Sequence, residues 1–417
     1  MHVIEPRDIK RRQEQREVRK KRVRHRFIIG LVCILFISYA FTSYRWKLPS
    51  VKAQPVILLP TLGTPVQMAW PGYGQAAVGT PQYGVLDTSG DSTPMPTASV
   101  AKVITAMAVM KEKPFAAGTQ GPTITLDDTD VGYYDYYSSN DGSVVYVVNG
   151  EQISEYQALQ AMLLPSANNM ADSLARWAFG SQEAYKNYAN NMVKTLGMTK
   201  TTVADASGFA PTTTSTARDL VALGLSAIND KVISNIVGQS SAVIPVAGTI
   251  NNVNVLLGTN GIVGIKTGNT DAAGGVYLFA SNHMFDNGLK TTVVGAIMGA
   301  PSLGAAMDSS IPLLNSVYAG FDDIQVARAG QKVAEYKYPW GKTVDAVLTN
   351  NLSVFGWTGA TVRPQAVMSD ISDIYPAGTP VGTVYVKTGM EQSGEAAVTK
   401  QATASPPWYW RIFRPFL

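Results

Sequence analysis

Ser99, Lys102, Ser166, Asn168 and Lys266 stand in three short patterns, Ser99-Val-Ala-Lys102, Ser166-Ala-Asn168 and Lys266-Thr-Gly268, whose hydroxyls and amines suit nucleophilic chemistry without a metal. Ser99 and Lys102 are three residues apart, one helical turn, so the amine reaches the hydroxyl from the same face. The segment Ala98 to Met110 is apolar nearly all round, through Val100, Val103, Ile104, Met107, Val109 and Met110. It is predicted to be a helix at the buried centre of a domain. Burial disfavours an ammonium, so the amine of Lys102 should lose its proton readily, as a general base must. Competing chemistries lack residues. Cys33, the one cysteine, lies in an apolar stretch near the N-terminus, which leaves no thiol nucleophile, disulfide or cysteine metal site in the body of the chain. His2, His25 and His283 show no ligand spacing, and a Ser-His-Asp triad is not expected from His283 alone.

Each pattern by itself is weak, since Ser-x-x-Lys arises by chance about once in a chain of this length. Order and context strengthen it. The three motifs resemble those of serine penicillin-binding proteins and class A β-lactamases, with Ser-Ala-Asn in place of the lactamase Ser-Asp-Asn. The stretches Ala98-Ser-Val-Ala-Lys-Val-Ile-Thr105, Leu164-Pro-Ser-Ala-Asn-Asn-Met-Ala171, Asp205-Ala-Ser-Gly-Phe209, Ser215-Thr-Ala-Arg-Asp-Leu220 and Gly264-Ile-Lys-Thr-Gly268 are similar to the serine D-alanyl-D-alanine carboxypeptidases of the low-molecular-mass penicillin-binding group. The similarity covers nearly all of residues 68–323.

The resemblance implies a β-lactamase/transpeptidase-like catalytic domain that removes the terminal D-alanine from peptidoglycan stem peptides through a serine acyl-enzyme, with β-lactams such as penicillin as covalent inhibitors. It implies Ser99 as nucleophile and Lys102 as its base, with Ser166 and Lys266 relaying the proton to the leaving nitrogen and back to the hydrolytic water. Asn168 would hold the substrate amide and Lys102. Lys266-Thr267-Gly268 would pair with the peptide as a strand edge, Thr267 reaching the terminal carboxylate, and the N–H groups of Ser99 and Asn269 would form the oxyanion hole. No metal and no cofactor enters this scheme. The alternatives are a D,D-endopeptidase, a β-lactamase, or a catalytically silent cell-wall-binding protein. Relatives carry arginines near the equivalent of Pro301 to Ala306, where this chain has none, and no glutamate stands out as a deacylating group, which favours a peptidase over a lactamase.

Two decoys need placing. Ser138-Ser-Asn140 also fits Ser-x-Asn, but the Tyr-, Asp- and Gly-rich stretch Tyr133 to Gly142 reads as a loop. Lys387-Thr-Gly389 repeats the third motif after the strand-like Tyr385-Val386, and reads as a hairpin turn using Gly389, on the surface and far from Ser99.

The elements that must position these residues alternate in type. Ala76 to Leu86 is strand-like; Ala98–Met110, Ser154–Leu164, Ala167–Phe179, Gln182–Leu196 and Thr216–Ile228 are helix-like; Gly275–Ala280 and Thr291–Met298 are strand-like. Helices between flanking strands predict an α+β domain over residues 65–323, with helices packed on an antiparallel sheet drawn from both sequence ends. Residues 324–401 hold short strand candidates, Ile324–Ala327, Thr343–Leu348, Thr361–Pro364 and Val381–Val386, and are predicted to be a small all-β domain.

Outside these domains, charge and hydropathy speak for a membrane. Residues 1–26 hold eleven basic and four acidic residues, and the 18 residues from Phe27 to Tyr44 are uncharged. At about 1.5 Å per residue that stretch reaches roughly 27 Å, enough for the hydrocarbon layer. Bulky and charged residues, Tyr44, Arg45, Trp46 and Lys47, follow where a cleavage site would need small ones. A retained anchor over 27–44 with a basic cytoplasmic tail, 1–26, and an extracytoplasmic catalytic domain is therefore expected, with Tyr44 and Trp46 at the outer interface and Cys33 facing lipid. Residues 45–64, broken by Pro55 and Pro60, read as a tether. The aromatic and basic segment 402–417 is expected at a membrane surface. Without residues 1–26 the chain has 23 basic and 26 acidic residues, so the basic excess is confined to the tail and nucleic-acid binding is not expected. Lipid head groups are the partner the tail suits.

Overall fold

The computed structural model describes residues 6–416; residues 1–5, His2 among them, and Leu417 lie outside the described residues. The first element, α1, is a single helix Pro6–Arg45 whose apolar half is exposed, Cys33 included. It is the one helix among the described residues that is long and apolar enough by itself to cross a membrane.

The segment read as a tether is tied down instead. Strand β1 (Ala53–Pro55) pairs with a strand of the second module, and single bridges join Val51 to Ile371 and Thr61 to Val362. Its backbone groups are satisfied at a sheet edge, because a proline there costs no ladder hydrogen bond.

The stretch expected as one strand over Ala76–Leu86 is a hairpin of β2 (Gln75–Thr80) and β3 (Gly84–Ser89), turned at Pro81, which cannot donate to a ladder. A 3-10 turn, Ala98–Val100, leads into α2 (Ala101–Glu112). The stretch Tyr133–Gly142, expected as a loop, lies mostly in α3 (Asp128–Ser139). The capping box explains it: Asp127 accepts from the Thr129 N–H and Asp130 from the Asp127 N–H, fixing a helix start that the tyrosines continue. Then come α4 (Glu155–Leu163), α5 (Asn168–Phe179), α6 (Gln182–Thr195), α7 (Ala217–Ala227) and α8 (Lys231–Val237).

Three long strands follow, β4 (Ile262–Thr270), β5 (Gly274–Met284) and β6 (Lys290–Ala300), then α9 (Leu303–Tyr318). They complete a five-stranded antiparallel sheet in the order β4-β5-β6-β2-β3, so β4 is an edge. Both faces of this sheet are apolar. Leu278, Ala280, Val294, Ala296 and Met298 join the helical core around α2, while Tyr277, Phe279, Val293 and Ile297 pack with Leu313, Leu314 and Val317 of α9. Period-two alternation thus survives, but both alternate faces are covered and the strands read as continuous apolar runs.

The chain leaves this sheet at Gly320. Strand β7 (Phe321–Ala327) pairs with β10 (Leu352–Trp357), so the expected 323/324 boundary falls inside a strand. The remaining strands are β8 (Lys332–Lys337), β9 (Thr343–Leu348), β11 (Gln365–Met368), β12 (Pro380–Lys387) and β13 (Gln392–Thr399). They form a six-stranded sheet in the order β1-β8-β9-β13-β12-β11. Thr361–Pro364 is not a strand: it holds only the single bridge of Val362 to Thr61, and the ladder with β12 begins after Pro364. Phe321, Phe355 and Trp357 share one apolar cluster with α9, so the β module packs directly on the first domain.

The C-terminal helix α10 (Trp408–Phe413) lies against the end of α1. Tyr39 and Ser43 donate to the carbonyls of Ile412 and Arg411 at 2.8 Å each. In return Arg411 donates to the Tyr44 carbonyl at 2.9 Å and Arg414 to the Lys47 carbonyl at 3.0 Å. Each helix C-terminus receives donors from the other, satisfying carbonyls that have no partner within their own helix. Trp408, Tyr409 and Phe416 remain exposed, while Trp410 is buried against Trp340.

Candidate active site

The turn that carries Ser99 is held by a buried helix meeting a sheet edge. Helix α2 packs on α5 and α6 with every residue from Ala101 to Met110 buried, so the Ser-x-x-Lys pair starts from a rigid element. Strand β4 runs alongside the 3-10 turn. A β-carbon added to Gly268 would lie 3.1 Å from the Ser99 nitrogen and 3.0 Å from the Ala98 β-carbon, so glycine is what lets the strand approach the Ser99 N–H.

Lys102 is completely buried, and its Nζ meets three oxygens: Ser99 Oγ at 2.8 Å, Asn168 Oδ1 at 2.6 Å and the Ser207 carbonyl at 3.0 Å. Burial holds this amine well below the ordinary lysine range, the nearby Lys266 pushes it down further, and Asp205 and Asp172 oppose the fall. Lys266, also buried, is lowered to about 7 by burial, and it donates to the Thr267 carbonyl at 3.0 Å. In its neutral form Lys102 donates to Asn168 and Ser207 and keeps a lone pair for the proton of Ser99.

Ser166 sits between α4 and α5 with φ 70°, in the left-handed region, and its hydroxyl is buried without a hydrogen-bond partner among the described residues. That conformation costs a non-glycine residue on the order of 1 kcal/mol, and such strain gathers at functional sites. Asn168 opens α5, where its side chain turns to Lys102.

Above these residues lies a cleft of about 490 Å³, lined by Ser99, Asn168 and Asn269 together with Asn140, Asp141, Gly142, Phe209 and Asp271. Of the residues read from sequence, Ser99, Asn168 and Asn269 reach this cleft, while Lys102, Ser166, Lys266, Thr267 and Gly268 are buried. Ser99, Lys102 and Asn168 are in direct contact, whereas Ser166 and Lys266 make no hydrogen bond to them among the described residues. The rejected Ser138-Ser-Asn140 contributes Asn140 to the cleft rim, which sequence reasoning missed because α3 brings it there only in the fold.

The second Lys-Thr-Gly copy differs from its expected place. It does form the turn between β12 and β13, but Thr388 is buried rather than on the surface, and Gly389 has no left-handed conformation. A β-carbon at Gly389 would lie 2.8 Å from Gln82 Cβ, so this glycine allows the β module to approach the β2-β3 hairpin. His283 stacks on Tyr318 at 3.9 Å and takes no part in the cleft.

A buried serine-lysine helix between a helical lobe and the Lys-Thr-Gly edge of a five-stranded antiparallel sheet defines the β-lactamase/transpeptidase-like class of serine penicillin-binding folds. Penicillin binding protein 5 from Haemophilus influenzae shares it with a TM-score of 0.55 and 19% identity over 82% of this chain and 99% of that one. A Streptomyces DD-transpeptidase gives a TM-score of 0.52 and 22% identity over 62% of this chain and 100% of that one. At these identities the likeness is one of fold.

The chain belongs to the D-alanyl-D-alanine carboxypeptidase family, whose model matches residues 83–301. The D-alanyl-D-alanine carboxypeptidase DacC of Escherichia coli is 32% identical over 162 residues, 37% of this chain and 39% of the relative. A D-alanyl-D-alanine carboxypeptidase of a Streptomyces species is 24% identical over 251 residues, 56% of this chain and 82% of the relative. A D-alanyl-D-alanine endopeptidase of Pseudomonas aeruginosa is 30% identical over 190 residues, 45% of this chain and 55% of the relative. The chain thus spans well under two thirds of the length of the Escherichia coli and Pseudomonas relatives.

Proposed function

We propose that this chain is a membrane-anchored D-alanyl-D-alanine carboxypeptidase that trims the terminal D-alanine from peptidoglycan stem peptides. The observation that carries the reading is the Lys102 amine, buried and set 2.8 Å from the Ser99 hydroxyl, with its other two contacts satisfied. Ser99 Oγ attacks the carbonyl of the penultimate D-alanine while its proton passes to Lys102. The developing oxyanion is stabilised by the N–H groups of Ser99 and Asn269, two fixed donors being worth several kcal/mol in such a site. The C–N bond breaks as a proton reaches the leaving nitrogen, a transfer assigned to Ser166 and Lys266. Water then attacks the acyl-enzyme by the reverse relay. Thr267 on the sheet edge takes the terminal carboxylate, and Asn168 the substrate amide. β-Lactams enter the same path and stall at the acyl stage.

Helix α1 with its basic N-terminal flank supports a single-pass topology with the catalytic domain extracytoplasmic, and α10 lies against the outer end of that helix. Sedimentation with membranes after a high-salt wash, with Met1 to Arg45 intact, tests the anchor; release into the supernatant overturns it.

A fluorescent penicillin and a muropeptide digest test the activity together. Labelling that disappears in Ser99→Ala, with loss of one alanine from pentapeptide stems, is expected. Cleavage of cross-linked dimers with pentapeptides untouched would make the chain an endopeptidase, and absence of any labelling of folded protein would refute acyl transfer.

A further inference from the structure

Beside Lys102 lies a buried polar cluster that the reaction scheme above does not use. Asp172 follows Asn168 by four residues on α5, so the two side chains stand one turn apart on one face. Asn168 touches Lys102 directly. Asp172 instead accepts from the Tyr137 hydroxyl at 2.8 Å; the Tyr137 oxygen packs 3.3 Å from the Ser207 hydroxyl, whose own proton goes to Asp205, and the Ser207 carbonyl accepts from Lys102 at 3.0 Å. Ser207 is itself fixed: its hydroxyl donates to Asp205 at 2.8 Å, and Asp205 also accepts from the Phe209 N–H at 2.8 Å. Tyr137 is buried and braced edge-on against Phe209, at 5.3 Å between ring centres.

We propose that Asp172 is a positioning residue for acylation, its carboxyl held by Tyr137 one helical turn from Asn168 and acting by its charge on the Lys102 amine. This rests on the reading of Lys102 as the base of Ser99. The Tyr137 hydroxyl is the one hydrogen-bond donor to the Asp172 carboxyl among the described residues. An aspartate in this position, rather than an apolar residue, adds a negative charge to that of Asp205 near a buried amine from which burial and Lys266 repel a proton. Together with Asp205, Asp172 draws the proton affinity of Lys102 upward against burial and Lys266, and a base must retain some in order to accept the serine proton. The groups facing Asp172 are Tyr137 from α3, Lys102 from α2, Tyr185 from α6 and Asp205 from the loop before α7. Burial raises Asp172 to about 7, Asp205 adds to the rise, and Tyr137 and Lys102 oppose it. On the same helix Arg176 is committed to Asp127 and Asp130 at the start of α3.

The sign of the effect follows. Ionised Asp172 favours protonated Lys102, so removing the charge lowers the proton affinity of Lys102 and frees the base at lower pH. The second-order rate of acylation by a fluorescent penicillin is measured from pH 5 to 10 on the full chain in detergent, for wild type, Asp172→Asn and Tyr137→Phe. In Asp172→Asn the midpoint of the acid limb should move down by about 0.5–1 pH unit. Tyr137→Phe, which deprives the carboxyl of its donor and keeps it neutral over more of the range, should move it the same way by less. A residue that serves only folding would lower the labelled fraction without moving the midpoint. Should Asp172→Asn fail to fold, Tyr137→Phe carries the test alone. Midpoints within about 0.2 pH units of wild type in a folded variant overturn the proposal, while a wild type that is not acylated at all overturns the Ser99–Lys102 reading beneath it.

Discussion

Thr267 and Thr388 occupy the same position in two Lys-Thr-Gly copies, and the structure predicts opposite consequences when each loses its hydroxyl. Thr388 Oγ1 donates to the Phe355 carbonyl at 2.7 Å and accepts from the N–H groups of Met390 and Glu391 at 3.1 Å each. Thr388→Val keeps the shape and removes all three contacts in a buried turn, which should cost about 1–3 kcal/mol. For a chain of this size, with an unfolding entropy of about 2.1 cal/mol/K per residue, that lowers Tm by roughly 1 °C per kcal/mol. Thr267 Oγ1, by contrast, makes no hydrogen bond among the described residues, so Thr267→Val should leave stability within about 0.5 kcal/mol. If it holds the substrate carboxylate, a hydrogen bond to a charged group is lost, about 1.5–3 kcal/mol, or roughly 10- to 100-fold in kcat/KM. D-Alanine release from an acyl-D-Ala-D-Ala peptide is measured per folded molecule, alongside thermal unfolding. The reasoning fails if Thr388→Val is the more damaging to turnover at equal folded fraction, or if Thr267→Val is the one that melts early.

Lys102→Arg keeps a charge but cannot accept a proton at neutral pH, and it forces five donors into a sealed site with three acceptors. Penicillin acylation should fall at least about a hundredfold, and a near-normal rate would remove Lys102 as the base. Glu155 is buried at the start of α4 with neither carboxylate oxygen paired among the described residues, and burial raises it to about 8 against an opposing pull from Lys113. Because the folded state holds this proton more tightly than the unfolded chain, stability contributed by protonated Glu155 is lost as pH rises from about 4.5 towards 8. Glu155→Gln should flatten the decline in urea midpoint between pH 5 and 7, and an unchanged slope would locate the titrating group elsewhere.

The chemistry was written locally and could be recognised there. Ser99 and Lys102 share one helical turn, so their contact follows from helix geometry alone, and the apolar run around them announced the burial that lowers the amine. The helices α4 to α7 were recoverable because period and caps agree in the same short windows. Other features depended on partners distant in the chain. The Val51–Thr61 segment looks like a tether because its proline-broken run satisfies no local pattern, yet its backbone groups find donors and acceptors some 280–320 residues away on Ala334, Tyr336, Val362 and Ile371. Tyr133–Gly142 carries the composition of a loop, and the Asp127–Asp130 cap together with packing against α5 made most of it a helix. Thr388 repeats the motif of Thr267 letter for letter, and only the tertiary structure separates them. One motif lies on a sheet edge beside Ser99, and the other is folded into a turn that satisfies its own backbone. Asp172 and Tyr137 are 35 residues apart with no motif in common, and meet because α3 packs on α5. Short-range geometry therefore fixes which side chains can react, whereas long-range packing decides which of them are buried, paired and aimed, since burial and hydrogen-bond satisfaction are properties of the whole fold.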